Sequence, residues 1–304
     1  MDKIPPLAAS AFDKLTRAKE HIDQLDGDIG SWLRGSHRRR TEIYPEVREV
    51  CQYIRQVKRR PPGWPGLAGD AVNNLRASLD HLVWGLTLDH QGWAPRAPLE
   101  AGCRWRRVGF PVQLNPPDRW RHQSLWGVDP NLIGAFRDEQ PKSAREPRLR
   151  GNELWILQEL WNRDKHRSVF AIDSAVRPVR LPAEERVVRA IFGIRAGSYP
   201  EVDREVEGIE HWHTGPLIYG EEVEMLCLRF RNIPDPEILR PYLRQYYDFS
   251  ADVLFDEGSP AFSEGVRPLL RRLYGRVEGI LDRFVPKFNP GRKRVPTRRH
   301  TCPP

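Results

Sequence analysis

Asn73, Asn74, Arg76, Asp80 and His81 fall within nine positions of one apolar-patterned segment, Gly69 to His81. Asn and Asp make directed hydrogen bonds, unlike the interchangeable Lys and Glu of an ordinary solvent face. Arg76 supplies a permanent planar cation that fits a phosphate or carboxylate. His81, five positions on, is the side-chain type whose charge changes near neutral pH. An arginine and a histidine so spaced are equipped for proton transfer beside a stabilised anion. A second polar cluster follows at Asn162-Arg163-Asp164-Lys165-His166-Arg167.

Both clusters sit on predicted helices. Ala68, Val72, Leu75, Leu79, Leu82, Val83 and Leu86 recur at helical spacing and predict a helix over 67–88. At about 100° per residue, Arg76 and Asp80 share one edge of its apolar stripe, while His81 lies well away from it. Arg76 and Asp80 are four apart and can pair. Two readings follow for Arg76. It serves a site, with Asp80 and Asn73 orienting it, or it bridges to Asp80 as part of the fold while His81 makes an interface hydrogen bond. The second cluster ends a helix predicted from Asn152 to about Arg167, where the helix dipole favours cations. Lys165, His166 and Arg167 are there for that reason or as phosphate contacts.

Between Trp93 and Trp126 the pattern dissolves into Pro, Gly, Trp and Arg. Trp105, Arg106, Arg107, Trp120 and Arg121 interleave rings with guanidinium groups, which is how single-stranded nucleic acid is stacked and neutralised. The alternative is that the rings pin a long loop while the Arg stems cover them. His211-Trp212-His213 offers two imidazoles without a third ligand, so no metal site is expected. No phosphate-loop, nucleophile-elbow or zinc spacing occurs, and no cofactor is expected.

Other helices are predicted over 8–25, from Pro45 with Val47, Val50, Cys51, Ile54 and Val57 on one face, and from Ser263 to Pro286. Strand-like runs occupy 108–112, 168–173, 186–194, 205–212, 223–230 and 251–256. The order predicts an α+β fold: an N-terminal helical bundle-like part over 1–167, then an antiparallel sheet and a C-terminal helix over 168–286, as one domain. Residues 287–304 read as a disordered basic tail that carries +6 of the net charge of +8.

The chain has 304 residues, enough for a sizeable core, with 39% hydrophobic and 30% charged residues. No stretch is apolar enough to span a membrane, and Met1 to Leu15 lack the apolar core of a signal peptide. Cys51, Cys103, Cys227 and Cys302 are scattered, which indicates neither a zinc knuckle nor a disulfide framework and makes a reducing cytoplasm the expected compartment.

The pattern G-D-x-x-x-N-L-R-x-x-L-D-H, starting at Gly69, followed by L-x-N-x-D-K-H-R, resembles a family of uncharacterised bacterial proteins of this size, over roughly Ala8 to Phe284. The helix also resembles the R-x4-6-H signature of HEPN (higher eukaryote and prokaryote nucleotide-binding) domains. The spacing recurs at Arg204–His211 and Arg294–His300, but only Arg76–His81 lies on a predicted helix. The resemblance implies a metal-independent ribonuclease or RNA-binding protein of toxin or defence systems, working as a homodimer, with an antitoxin or defence partner that the sequence does not identify. Arg76 and His81 from two protomers would then form one catalytic site. His81 would act as acid or base at the 2′-hydroxyl or leaving oxygen, and Arg76 would steady the phosphate, leaving a 2′,3′-cyclic end. The competing expectation is a non-catalytic binding or scaffold protein.

Overall fold

The structure is a computed structural model that describes residues 5–91, 107–114, 116–117, 122–141, 153–166, 172–178, 202, 205–212, 217–246, 249–255, 261 and 264–288. In chain order its principal elements are α1 (Ala9–Leu33), β1 (His37–Tyr44), β2 (Glu49–Gln56), α2 (Trp64–Gln91), α3 (Ile133–Asp138), α4 (Glu153–His166), β3 (Ile172–Pro178), β4 (Val206–Trp212), β5 (Glu222–Phe230), α5 (Pro236–Tyr246), β6 (Phe249–Phe255) and α6 (Val266–Phe284). The class is α+β, with an antiparallel sheet and a C-terminal helix. The chain divides into two compact units: residues 1–26, 63–171 and 255–304, and residues 27–62 and 172–254.

The first unit is built on α2. Its Val72, Leu75, Leu79, Leu82 and Val83 are completely buried, against α4 and α6. The helix is apolar over more than one stripe because it has neighbours on more than one side. α6 brings Leu269, Leu270, Leu273, Val277, Ile280, Leu281 and Phe284 inward, and α4 brings Leu154, Leu157 and Leu160. Leu15, Ala18 and Ile22 of α1 are buried at three- and four-residue steps, and the buried Ser78 hydroxyl donates to the Ala11 carbonyl at 2.8 Å. Gly85 lets the chain pass close, since a Cβ there would collide with the Leu7 carbonyl. Phe136 of α3 links Phe110 and Phe284, with ring centroids 5.6 and 4.4 Å away. Beside it the buried Glu139 carboxylate accepts from Arg276 (2.7 Å) and Arg283 of α6. A buried carboxylate persists only when neutralised in this way.

The second unit contains a four-stranded antiparallel sheet of order β1-β2-β5-β4. Val50, Ile54, Leu226, Leu228 and Phe230 form a core with Leu239, Tyr242 and Leu243 of α5. The helix expected from Pro45 is instead a turn and β2. Val50 and Ile54 are four apart, a spacing that suits one helix face and one strand face equally. Val47 is 53% exposed in the turn, so it belongs to no buried stripe. The register between β2 and β5 shifts at Gln52/Tyr53, which leaves Met225 as the extra residue. The bulge puts Met225 in the same core as Leu226 and Leu228, while Cys227 between them is buried where it meets Cys51.

Three further expectations are corrected. Cys51 and Cys227, 176 residues apart, stand opposite each other on β2 and β5 and form a disulfide. Sequence spacing could not reveal a pairing that the sheet register creates. Residues 108–112 form no strand; Phe110 is held by side chains rather than by a ladder. The folded part also runs past 286, since Phe288 is 5% exposed at the end of a short 3-10 turn. The strand expected over 186–194 and the tail from 289 lie outside the described residues. Among the described residues no helix is long and apolar enough to cross a membrane.

Candidate functional site

The two polar clusters meet where α2 packs on α4. Arg76 is 8% exposed. Its Nη2 donates to the Phe110 carbonyl at 2.6 Å and lies 3.1 Å from Asp80 Oδ1. The same Oδ1 accepts the Phe110 backbone N–H at 2.8 Å. One helical turn thus offers a donor and an acceptor that close on both polar groups of a single peptide residue. Phe110 would otherwise leave a buried carbonyl and N–H unsatisfied, at about 1–3 kcal/mol each. Gly109 makes the approach feasible, because a Cβ there would lie 2.8 Å from Asp80 Oδ1.

Burial pulls the Arg76 guanidinium down from its ordinary value, and Asp80 opposes this. Arginine nevertheless keeps its proton in a protein. Burial likewise raises the Asp80 carboxyl, against the opposing pull of Arg76, the Phe110 N–H, His81 and Lys165. About a third of the Asp80 side chain remains exposed, so water screens part of that charge. Arg76 Nε and Nη1 are buried and have no hydrogen-bond partner among the described residues.

Trp161 of α4 is the shared surface of the two clusters. The Arg76 guanidinium lies 5.5 Å from its ring centroid and the Lys165 ammonium 4.7 Å. Cations over an indole are held by its quadrupole. Asn73 does not orient Arg76. Its Nδ2 donates to Asp164 Oδ2 at 2.6 Å, tying the helices together. Asp164 also rests on Gly69, where a Cβ would stand 2.6 Å from Oδ1. The sequence contained a signal for this clasp, a glycine one turn before Asn73 in an otherwise strong helix former, but not the identity of its partner.

His81 is half-buried, and its charge bears on Asp80. Lys165 is exposed. His166 ends α4, but its side chain lies outside the described residues, as do Arg167, Trp105, Arg106, Trp120 and Arg121. Arg107 is described: its exposed guanidinium donates to Gln123 Oε1 at 2.8 Å. The arrangement therefore gathers Arg76, Asp80, His81 and Lys165 around α2 and α4, with Arg76 mostly enclosed. No protein-family model matches the chain, and neither a curated protein nor a solved structure does.

Proposed function

We propose that this chain is an RNA-binding protein whose Arg-His helix serves the fold rather than cutting the RNA. The observation that carries this reading is the position of the Arg76 guanidinium: it is enclosed and shared between Phe110 and Asp80 inside its own unit. A cation that steadies a scissile phosphate has to reach the place where charge develops. Arg76 is turned instead toward a backbone carbonyl. The basic balance of the chain supports a polyanionic ligand.

The catalytic, HEPN-like reading keeps one specific observation in its favour. Arg76 Nε and Nη1 have no acceptor among the described residues, and a half-buried imidazole stands five residues on. The test is to incubate wild-type and His81→Ala protein with RNA in EDTA, following binding by fluorescence anisotropy and integrity on denaturing gels. Binding with intact RNA supports the proposal. Cleavage by wild type that His81→Ala abolishes, leaving cyclic-phosphate ends, would replace it with the ribonuclease reading. Neither binding nor cleavage would remove RNA from the account.

A further inference from the structure

A dense run of positive charge lies in the second unit. Residues 29–41 carry Arg34, Arg38, Arg39 and Arg40, residues 50–62 carry Arg55, Lys58, Arg59 and Arg60, and neither stretch contains an acid. The antiparallel pairing of β1 with β2 folds the two stretches together. Arg38 stands directly opposite Arg55, and His37 opposite Gln56. Beyond the last pair, the Val57 N–H donates to the Ser36 carbonyl at 2.7 Å, which keeps the ends of the hairpin side by side. Arg38, Arg39, Arg55, Lys58 and Arg59 are all exposed there.

Directly opposed like charges weaken a strand pair, so the Arg38–Arg55 pairing acts against the sheet and favours an anion bound beside it. Nearby acid is shared. Glu222 faces Arg55 across the β2–β5 ladder and feels its charge, but it is bound by Arg40 at 2.6 Å, and Glu42 also pairs with Arg40. Arg40 is further held 4.7 Å over the Tyr53 ring. Arg40 is thus matched within the fold, while Arg38 remains exposed.

An aromatic ring stands in the same place. Tyr219 bridges to Gln56, and the Gly220 N–H donates to the Gln56 carbonyl at 3.0 Å. Tyr219 is 47% exposed, and its neighbour Ile218 56%. The Arg59 guanidinium lies 5.1 Å from the Tyr219 centroid. Exposed cations flanking an exposed ring match the chemistry of single-stranded nucleic acid, whose phosphates take the cations while a base stacks on the ring. A double helix hides its bases and would leave the ring without a function.

We propose that the open end of the β1–β2 hairpin, with Arg38, Arg55, Lys58 and Arg59 around Tyr219, is a surface that binds single-stranded RNA. The choice of ligand rests on the RNA reading above, whereas the surface rests only on its own residues. Contacts to single-strand phosphates give a slope of log affinity against log salt of about −0.7 per contact.

The experiment measures anisotropy of a labelled single-stranded oligouridylate against the full chain. The variants are Arg38→Glu/Lys58→Glu, Tyr219→Ser, Lys165→Ala, and an Arg17→Glu/Lys19→Glu charge control on the exposed face of α1. Circular dichroism confirms folding. The hairpin double variant is expected to weaken binding at least tenfold and flatten the salt slope by about 1.4, two contacts' worth. Tyr219→Ser is expected to weaken it about tenfold at unchanged slope. Loss on Lys165→Ala with intact binding by both hairpin variants overturns the surface while leaving RNA binding standing. An equal loss in the charge control, or equal competition by polyglutamate or duplex RNA, also overturns it. No binding by wild type sinks the RNA reading itself.

Discussion

The Asn73 side-chain amide donates to Asp164 at 2.6 Å, joining two polar clusters that are 91 residues apart in the chain. Asp164 fits there because Gly69, one turn earlier on α2, has no side chain. The clasp gives the directed residues of α2 a job inside the fold. It also brings Trp161 and Lys165 to the same end of the packing as Arg76.

Gly69→Ala tests that clasp through its sign. Glycine inside a helix is ordinarily worse than alanine by roughly 0.5–1 kcal/mol, so the replacement would normally stabilise. Here the new methyl meets an oxygen pinned by Asn73. We expect a loss of about 1–3 kcal/mol, the usual cost of overpacking. In an Asp164→Ala background the same replacement should become neutral or stabilising. Chemical denaturation of the four proteins in the cycle gives the coupling, and a stabilising single Gly69→Ala would show that Asp164 does not occupy this place.

Arg76→Ala removes the guanidinium donor to the buried Phe110 carbonyl together with the cation beside Asp80. Breaking a buried pair costs about 3–5 kcal/mol. The partial exposure of Asp80 moves the expectation to the lower end, about 3 kcal/mol. Asp80→Asn should cost less, since an amide oxygen can still accept the Phe110 N–H. Urea unfolding distinguishes them, and a change below about 1 kcal/mol for Arg76→Ala would mean that Phe110 is held by packing alone.

Much of the first unit was legible because its helices carry long, regular apolar stripes. The predicted 67–88 became Trp64–Gln91, and the predicted pairing of Arg76 with Asp80 is present. β5 and β6 lie close to their expected places. The hairpin was not legible. His37 to Arg40 is an exposed edge run whose polar residues give no alternation, and β2 shares its apolar spacing with a helix. α5 was missed because Pro234, Pro236 and an internal Pro241 read as loop, although Leu239, Tyr242 and Leu243 pack on the sheet. The contact between Arg76 and Phe110 was invisible because it uses backbone groups, which no residue type announces.

Reduction of the Cys51–Cys227 disulfide should destabilise the second unit. The bond closes a loop of 176 residues, and removing such a cross-link costs roughly 2–5 kcal/mol. Protein handled without reductant is expected to melt several degrees higher than the same protein in excess phosphine. Cys51→Ser/Cys227→Ser should melt at the lower temperature under both conditions. Mass spectrometry after alkylation of unfolded, unreduced protein checks the pairing directly: modification of both cysteines would mean that no bond is present.

Acid sensitivity follows from two histidines. Burial lowers His122, whose Nδ1 accepts the Ser124 N–H at 3.3 Å as the cap of a short turn. Burial also lowers His37, with Arg39 adding to it and a hydrogen bond that His37 donates to the Leu33 backbone carbonyl opposing it. In both, the unfolded chain binds a proton near the ordinary value of 6.5, while the folded chain stays neutral until a lower pH. More protons on the unfolded state make stability rise with pH across that window. These residues therefore contribute their full stability above 6.5, and it is lost as pH falls from there toward their folded values. The double variant His37→Gln/His122→Gln should flatten the dependence of melting temperature on pH in this interval. The carboxylates would still govern the fall at more acid pH. An unchanged slope in the variant would place the acid sensitivity elsewhere in the chain.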